Sequence, residues 1–249
     1  MSDIGQWHPQ PTASQTRAAG EHIERHYHDE HQVAYTSSGA TAVTTARGTW
    51  IAPRDRAVWI PACTWHEHRF HGPARFHCVA FDPAVHSLDS DGPTVMTVTP
   101  LLRELIVACS DPVGLGADEA ERLRTVLVDQ LRRRPREPLS VAEPSDPRLI
   151  QARDEIVADL SQPVGIKRLA ARCATSERTL SRLIRAELGM SYPQWRAQLR
   201  LHQALILLVE GESVTTTAVR CGWPTPSAFI DAFRGTYGRT PGSYAESPA

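Results

Sequence analysis

No stretch of the sequence is apolar for long enough to cross a membrane; the longest useful run is "ALILLV" at 204–209, and the opening "MSDIGQWHPQPTASQTRAAG" has no apolar signal core. A soluble, cytoplasmic protein is the expectation. Cysteine is sparse and unpatterned, with positions 63, 78, 109, 173 and 221 odd in number and showing no C-x-x-C spacing. That argues against a disulfide framework, and the thiols read as buried groups in a reducing compartment. Net charge is nearly absent too, at -1, but the total conceals an asymmetry: residues 147–249 hold 13 Lys+Arg against 9 Asp+Glu, while residues 1–146 carry a net -5. A mildly basic half joined to an acidic half suits a nucleic-acid reader tied to another module.

With 249 residues and 41% apolar content the chain is long enough for two domains. After an N-terminal arm, residues 1–20, the region 21–82 shows short runs rich in Val, Thr, Trp, Phe and Ile, cut by "SSGA", "ARGT", "APRD" and "HGPAR". This is the rhythm of short antiparallel strands and tight turns, and it predicts a small β-barrel or sandwich. Within 97–134 the period becomes helical, with Leu102, Leu105, Ile106 and Cys109 on one face and Leu123, Val126, Leu127 and Leu131 on another. This helical pair reads as a dimerisation element that makes the chain a homodimer, and its stripes fit an internal cover for the barrel equally well. Proline-rich sequence, "RRRPREPLSVAEPSDP", predicts a partly extended linker at 135–147. Residues 148–249 are helical in pattern, with a long helix from about Pro193 to Glu210 carrying Trp195, Leu199, His202, Ile206 and Val209, and a stop at Gly211. The fold class is therefore two-domain α+β.

Two stretches of the C-terminal half repeat each other in register, "LAARCATSERTLSRLIRAELG" at 169–189 and "TAVRCGWPTPSAFIDAFRGTYG" at 217–238. Ala170 and Ala218 each precede a cysteine by three residues, and Ser176 and Thr225 each stand where a helix N-cap belongs. From the caps, Leu180 matches Phe229, Ile184 matches Phe233 and Gly189 matches Gly238, while Pro226 supplies a first-turn proline. A small alanine lets two helices cross closely, and the apolar pair seats the second helix with its opposite side free. That is a helix-turn-helix presenting a recognition helix. The helix joining the two motifs would be about 27 Å long, so two recognition helices could enter successive major grooves, roughly 34 Å apart. Cys173, Cys221, Trp195 and Trp223 read as core.

On these residues, with "SERTLSRLIRAELGMSYPQWR" (176–196), "RLHQALILL" (200–208) and "CGWPTPSAFIDAFRGTYGRTPGSY" (221–244), the last hundred or so residues resemble the DNA-binding domain of the AraC/XylS family of transcription regulators. The resemblance implies double-stranded promoter DNA as partner. It places base contacts on Arg178, Ser181 and Arg182, with Arg185 and Ser176 beside them, and puts Thr225, Ser227, Arg234 and Arg239 of the second motif at the DNA. Arginine in a major groove reads guanine O6 and N7. Two departures stand out: Ala174 replaces the glycine common in the first turn and corresponds to Gly222, and Asp231 occupies the position that matches Arg182. Asp231 could accept from cytosine N4, but close to phosphates it weakens readout, so specificity is expected mainly from the first motif.

Nine of the eleven histidines fall between residues 8 and 77. On a strand, His26 and His28 share a face, as do His66 and His68. The spacing H-x-H, then Gln32 and Gly39, and later Pro61 and His66, resembles the two cupin motifs, with Gln32 for the usual glutamate and Cys63 for a usual glycine. The resemblance implies a cupin-like barrel and, in metal-binding members, one divalent ion (zinc, iron or nickel) on His26, His28, Gln32 and His66. A neutral Gln32 weakens such a site, and histidines lining a metal-free effector pocket are the other reading. The leading function is a non-enzymatic transcription regulator sensing a small molecule or metal. The alternatives are a metal-dependent cupin oxygenase or isomerase with a DNA-binding appendage, and a constitutive architectural DNA binder.

Overall fold

A computed structural model of the chain describes residues 12–88, 90, 92–134, 136–137, 140–141 and 143–245. The chain divides between residues 140 and 141 into two compact units, inside the stretch read as a linker. No described helix is long and apolar enough to cross a membrane.

The first unit is an antiparallel sheet followed by two helices. Its strands are β1 (Ala13–Arg17), β2 (His22–His26), β3 (His31–Thr45), β4 (Gly48–Pro53), β5 (Arg56–Ile60), β6 (His66–Phe81) and β7 (Thr94–Thr97); two-residue strands follow, β8 (Arg136–Glu137) and β9 (Ser140–Val141). The order β1-β6-β3-β5-β7-β8, with β2 on β6 and β4 on β3, puts the long β3–β6 pair at the centre. The sheet takes in Ala13–Arg17, part of the segment read as an arm; residues 1–11 of that segment lie outside the described residues.

Two of the expected turns are not turns. β3 runs straight through "SSGA" and β6 through "HGPAR", and the register instead shifts between Thr36 and Ser38 and again between Ser38 and Ala40. Glycine and proline serve bulges as well as turns, and here they bend one long ladder rather than end it. Gly39 is required there: φ is +68°, and a Cβ would meet Pro73 O at 2.8 Å. "ARGT" and "APRD" do contain turns.

The sheet separates two apolar clusters. The inner one joins Ala34, Val43, Trp50, Ile60, Phe70, Phe76 and Cys78 from four strands, with Ala13 of β1 and Val95 of β7, so the sheet wraps around it. The outer one joins Val33, Tyr35, Trp59, Val79 and Phe81 to helices α1 (Pro100–Ser110) and α2 (Ala117–Arg132). Leu102, Leu105, Ile106 and Cys109 of α1 are buried there, as are Leu127, Val128 and Leu131 of α2, whereas Val126 is exposed. The helices' apolar stripes thus cover the sheet, at about 1.5 to 3 kcal/mol for each fully buried large side chain.

The second unit is helical: α3 (Pro147–Ala158), α4 (Ile166–Arg172), α5 (Glu177–Leu188), α6 (Tyr192–Val209), α7 (Val214–Arg220), α8 (Pro226–Tyr237) and the short α9 (Gly242–Ala245). The repeat is visible in the caps. Ser176 accepts from the Thr179 amide and Thr225 from the Ala228 amide, each worth about 1 kcal/mol, and α5 and α8 both end on left-handed glycines, Gly189 and Gly238. Leu180, Ile184, Phe229 and Phe233 are fully buried. In α6 the buried face runs through Trp195, Leu199, Leu201, Ala204, Leu205 and Leu208, while His202, Ile206 and Val209 of the expected stripe are half-buried. Trp223 is half-buried rather than core, with the Arg200 guanidinium 4.0 Å above its ring. Of the five free cysteines four are buried and Cys63 is exposed, because it occupies a loop residue with φ +59°.

The turn positions Ala174 and Gly222 differ in strain. Both have positive φ, +49° and +71°, but only Gly222 packs so closely that a Cβ would collide with the Leu160 carbonyl oxygen. Gly222→Ala is therefore expected to destabilise the helical unit by more than about 1 kcal/mol through backbone strain alone, with the collision added. Ala174→Gly is expected to be neutral or stabilising by up to about 1 kcal/mol. Thermal unfolding followed by far-UV circular dichroism compares the two, and equal effects of the same sign would contradict this account.

Candidate nucleic-acid interface and ligand site

Helix α5 seats Leu180, Ile184 and Leu188 against its own unit and leaves its arginines on the outer side. Arg178, Arg182 and Arg185 are exposed, Ser176 is exposed and Ser181 half-buried. None of the three arginines makes an ion pair or side-chain hydrogen bond among the described residues. By contrast Arg148, Arg153, Arg172 and Arg220 of the same unit are paired with Asp146, Glu143, Glu155 and Glu212. A cleft of about 670 Å³ beside α5 is lined by Ser181, Arg182 and Arg185 together with Tyr192 at the start of α6. In the second motif Thr225, Ser227, Asp231, Arg234 and Arg239 are all exposed on or beside α8.

The imidazoles gather inside the sheet. His26 pairs with His66 in the β2–β6 register, and the alternation of β6 carries His66 and His68 inward with Phe70. Ring centroids lie 4.3 Å apart for His26 and His66, 5.1 Å for His66 and His68, and 5.0 Å for His28 and His66. His26, His66 and His68 bring one ring nitrogen each within 4.8 Å of one another and are buried. The structure thus adds His68 to His26 and His66, with His28 adjoining His66. Gln32 lies directly opposite Ile60 of the inner cluster, with its Oε1 buried and without a hydrogen-bond partner. His68 already shared a face with His66 in the sequence; its membership depends on the cross-strand register, which spacing along the chain does not give.

The tautomers follow from hydrogen bonding. His26, His28 and His66 each hold Nδ1 at 2.8, 2.8 and 2.9 Å from the carbonyls of Glu24, Glu30 and Thr64. A carbonyl only accepts, so each ring carries its proton on Nδ1 and keeps its lone pair on Nε2, the arrangement that carbonyls behind metal-binding histidines impose. Nε2 of His28 and of His66 is buried with no partner. The loop that carries Thr64 is tied to the same place, since the Cys63 amide donates to the His28 carbonyl at 2.9 Å. Burial, reinforced by repulsion from His26, pushes His66 down to about 3, and burial pushes His68 well below the ordinary imidazole range and lowers His26. These rings are neutral at neutral pH, the form that binds a metal. The buried triad could hold one.

His77 belongs to the other face. Its Nδ1 lies 2.9 Å from Ser110 Oγ of α1 and its Nε2 2.9 Å from Ser37 Oγ, and burial pushes it down to about 4.

Residues 8–124 match the family described as the AraC-like ligand binding domain, and residues 169–247 match the helix-turn-helix domain family. The chain is 31% identical over 221 residues to the HTH-type transcriptional regulator NimR of Escherichia coli (strain K12), covering 88% of this chain and 81% of that protein. It is 35% identical over 85 residues to the HTH-type transcriptional regulator GadX of the same strain, which covers 34% of this chain and 31% of GadX. A crystal structure of a transcriptional regulator with an AraC-type DNA-binding domain from Chromobacterium violaceum aligns over 40% of this chain and 89% of its own, at 26% identity and TM-score 0.38.

Depressed histidine pKa values tie the stability of the first unit to pH. Above the unfolded value near 6.5 both states are neutral and the contribution is complete. As pH falls below it, the unfolded chain takes protons that folded His66 and His77 refuse until about 3 and about 4, so stability is lost. The upper limit is about 1.4 kcal/mol per pH unit for each such histidine. Hydrogen-exchange protection of β3 and β6 amides, corrected for intrinsic exchange, is expected to fall between pH 7 and 5. Protection free energies that stay flat over that interval would mean that these rings are protonated in the folded protein.

Proposed function

The chain belongs to the AraC family of helix-turn-helix transcription regulators with an N-terminal AraC-like ligand-binding domain, and from that premise we propose how its parts divide the work. It is a DNA-binding regulator, not an enzyme. Helix α5 is the specificity helix, with Arg178, Arg182 and Ser181 at base edges and Arg185 and Ser176 at the backbone. Helix α8 is a positioning element, with Thr225, Ser227, Arg234 and Arg239 near phosphates, because Asp231 repels a phosphate where Arg182 attracts one. The observation that carries this reading is the set of three exposed arginines on α5 with no ion pair or side-chain hydrogen bond among the described residues, beside Arg148, Arg153, Arg172 and Arg220 of the same unit, each of which is paired with a carboxylate. Unpaired guanidinium groups held on a rigid, capped helix suit phosphate and guanine recognition.

The ligand-binding unit senses a small molecule or a metal, and the converging nitrogens of the buried triad, with the unpartnered Nε2 atoms of His66 and the adjoining His28, support a divalent ion such as zinc, iron or nickel as one ligand. His26, His66 and His68 would hold it, with His28 or Gln32 available beside them. Such an ion would cross-link β2 to β6. Two chains would pair through the outer faces of α1 and α2, where Leu101 and Val126 are exposed.

Footprinting of the promoter regions flanking its own gene tests the function and supplies an operator. On that operator Arg182→Ala is expected to cost about 1 to 3 kcal/mol and to relax preference at one position, by gel-shift titration against base-substituted sites. Asp231→Arg is expected to tighten binding to all DNA and steepen its salt dependence. Operator affinity unchanged by Arg182→Ala would remove that residue from the readout, and loss of binding at a single cytosine position by Asp231→Arg would make Asp231 a base reader.

A further inference from the structure

We propose that the ion held by His26, His66 and His68 binds the regulator's effector directly, and that this effector is a small anionic Lewis base, such as a short carboxylate or a thiolate. The inference rests on the reading of the triad as a metal site. Its ground is a charge balance. Three neutral imidazoles form the cluster, with no aspartate or glutamate among its members. On the interior face where a carboxylate would lower the charge stands Gln32, an amide whose Oε1 has no partner. A divalent ion here would keep its full charge inside a sheet whose surrounding side chains are Ile60, Phe70, Ala74 and Phe76. An uncompensated dication in such surroundings is costly, and an anion in its coordination shell removes most of that cost.

Geometry leaves the place for it. Donors on a tetrahedral zinc-class ion stand about 3.4 Å apart, so ligand atoms already within 4.8 Å need only small ring rotations to converge. Three converging donors, with His28 outside the group, would leave a fourth position to an exchangeable ligand, the arrangement of sites that exchange a ligand rather than of closed structural sites. His68 stacks on Phe70 at 6.3 Å with rings 9° from parallel and meets Phe76 edge-on at 5.2 Å, so the side chains packed against the triad at His68 are apolar. That favours an anion with a small apolar body over a strongly hydrated one. In the exchange a bound water would leave to solvent and the anion would take its place, with no change of oxidation state.

The test uses the full-length protein stripped by chelator and loaded with cobalt(II). Elemental analysis is expected to give about one equivalent, lost in His66→Ala. Azide and acetate are then titrated while the visible d–d bands are recorded, and a saturable shift is expected that apoprotein does not show. Gln32→Glu, which supplies the missing carboxylate, is expected to keep the metal and weaken azide binding by roughly tenfold or more. Uptake below about a tenth of an equivalent would defeat the metal reading itself, and the proposal with it. Full uptake with bands that neither anion moves would overturn the proposal and leave the metal site standing. Since the wild-type titration decides this without any variant, misfolding of Gln32→Glu would not protect the idea; a folded Gln32→Glu protein with wild-type azide affinity would refute the charge argument.

Discussion

Antiparallel pairing between β3 and β6 runs from His31 opposite Phe81 to Thr44 opposite Glu67, and what the N-terminal unit buries follows from its register. Side chains alternate across a strand, so His66, His68, Phe70, Phe76 and Cys78 face inward while Val79 and Phe81 meet the helices. A slip of one residue would carry Glu67 and Arg69 inside and the imidazoles outside. Burying either charge unpaired costs several kcal/mol, which fixes the register. β3 has a harder task, because it must present Ala34 inward at one end and Val43 at the other, positions of opposite parity. The two register shifts flanking Gly39 make that change, and the contact of Gly39 with Pro73 and Ala74 is what forbids a side chain there.

Placing imidazoles on that inner face has a cost that the protein does not recover by itself. Each of His28 and His66 satisfies Nδ1 locally, through a carbonyl two residues away, and leaves Nε2 unpaired in the interior. An orphaned buried acceptor costs about 1 to 3 kcal/mol. Apolar residues of similar size would avoid that cost and pack the sheet as well, as Phe70 and Phe76 do in the same interior. The outer-face His77 shows the contrast, since serine hydroxyls satisfy both its nitrogens and its role is to fasten α1 to β6.

Legibility in the sequence tracked locality. The two helix-turn-helix motifs were readable to the residue, because caps, terminal glycines and the apolar pairs Leu180/Ile184 and Phe229/Phe233 act within a dozen positions of one another. His26 and His66 were readable from strand spacing, as was the shared face of His66 and His68, but that His66 stands opposite His26 is a cross-strand fact, and β2 is irregular between Ile23 and His26, so counting along the chain could not join the two pairs into one cluster. Glycine at 39 and at 72 marked a backbone event correctly and misled about its kind, since a bulge and a turn need the same freedom of φ. Exposed Cys63 and half-buried Trp223 were missed for a related reason: residue type sets a preference for burial, whereas loop geometry and an overlying guanidinium decided these two cases.

The two motifs have kept the same scaffold while diverging in what they present and in how tightly they are packed. In the second, Gly222 relieves the turn and allows the backbone to approach Leu160 and Ser161; in the first, Ala174 accepts a left-handed conformation that costs about 1 to 2 kcal/mol. The second motif is the more apolar, with the rings of Phe229, Tyr237 and Tyr244 gathered on Phe233, and its exposed helix face bears Asp231. The first carries three exposed arginines on a helix with a smaller buried face of Leu180, Ile184 and Leu188. Charge exposed on a helix adds little to folding, and strain subtracts from it, so neither feature of the first motif is explained by stability. Aromatic packing around α8 explains the second motif as an anchor for its half of the domain, and it leaves α5 as the helix whose surface chemistry has to be accounted for by something outside the fold.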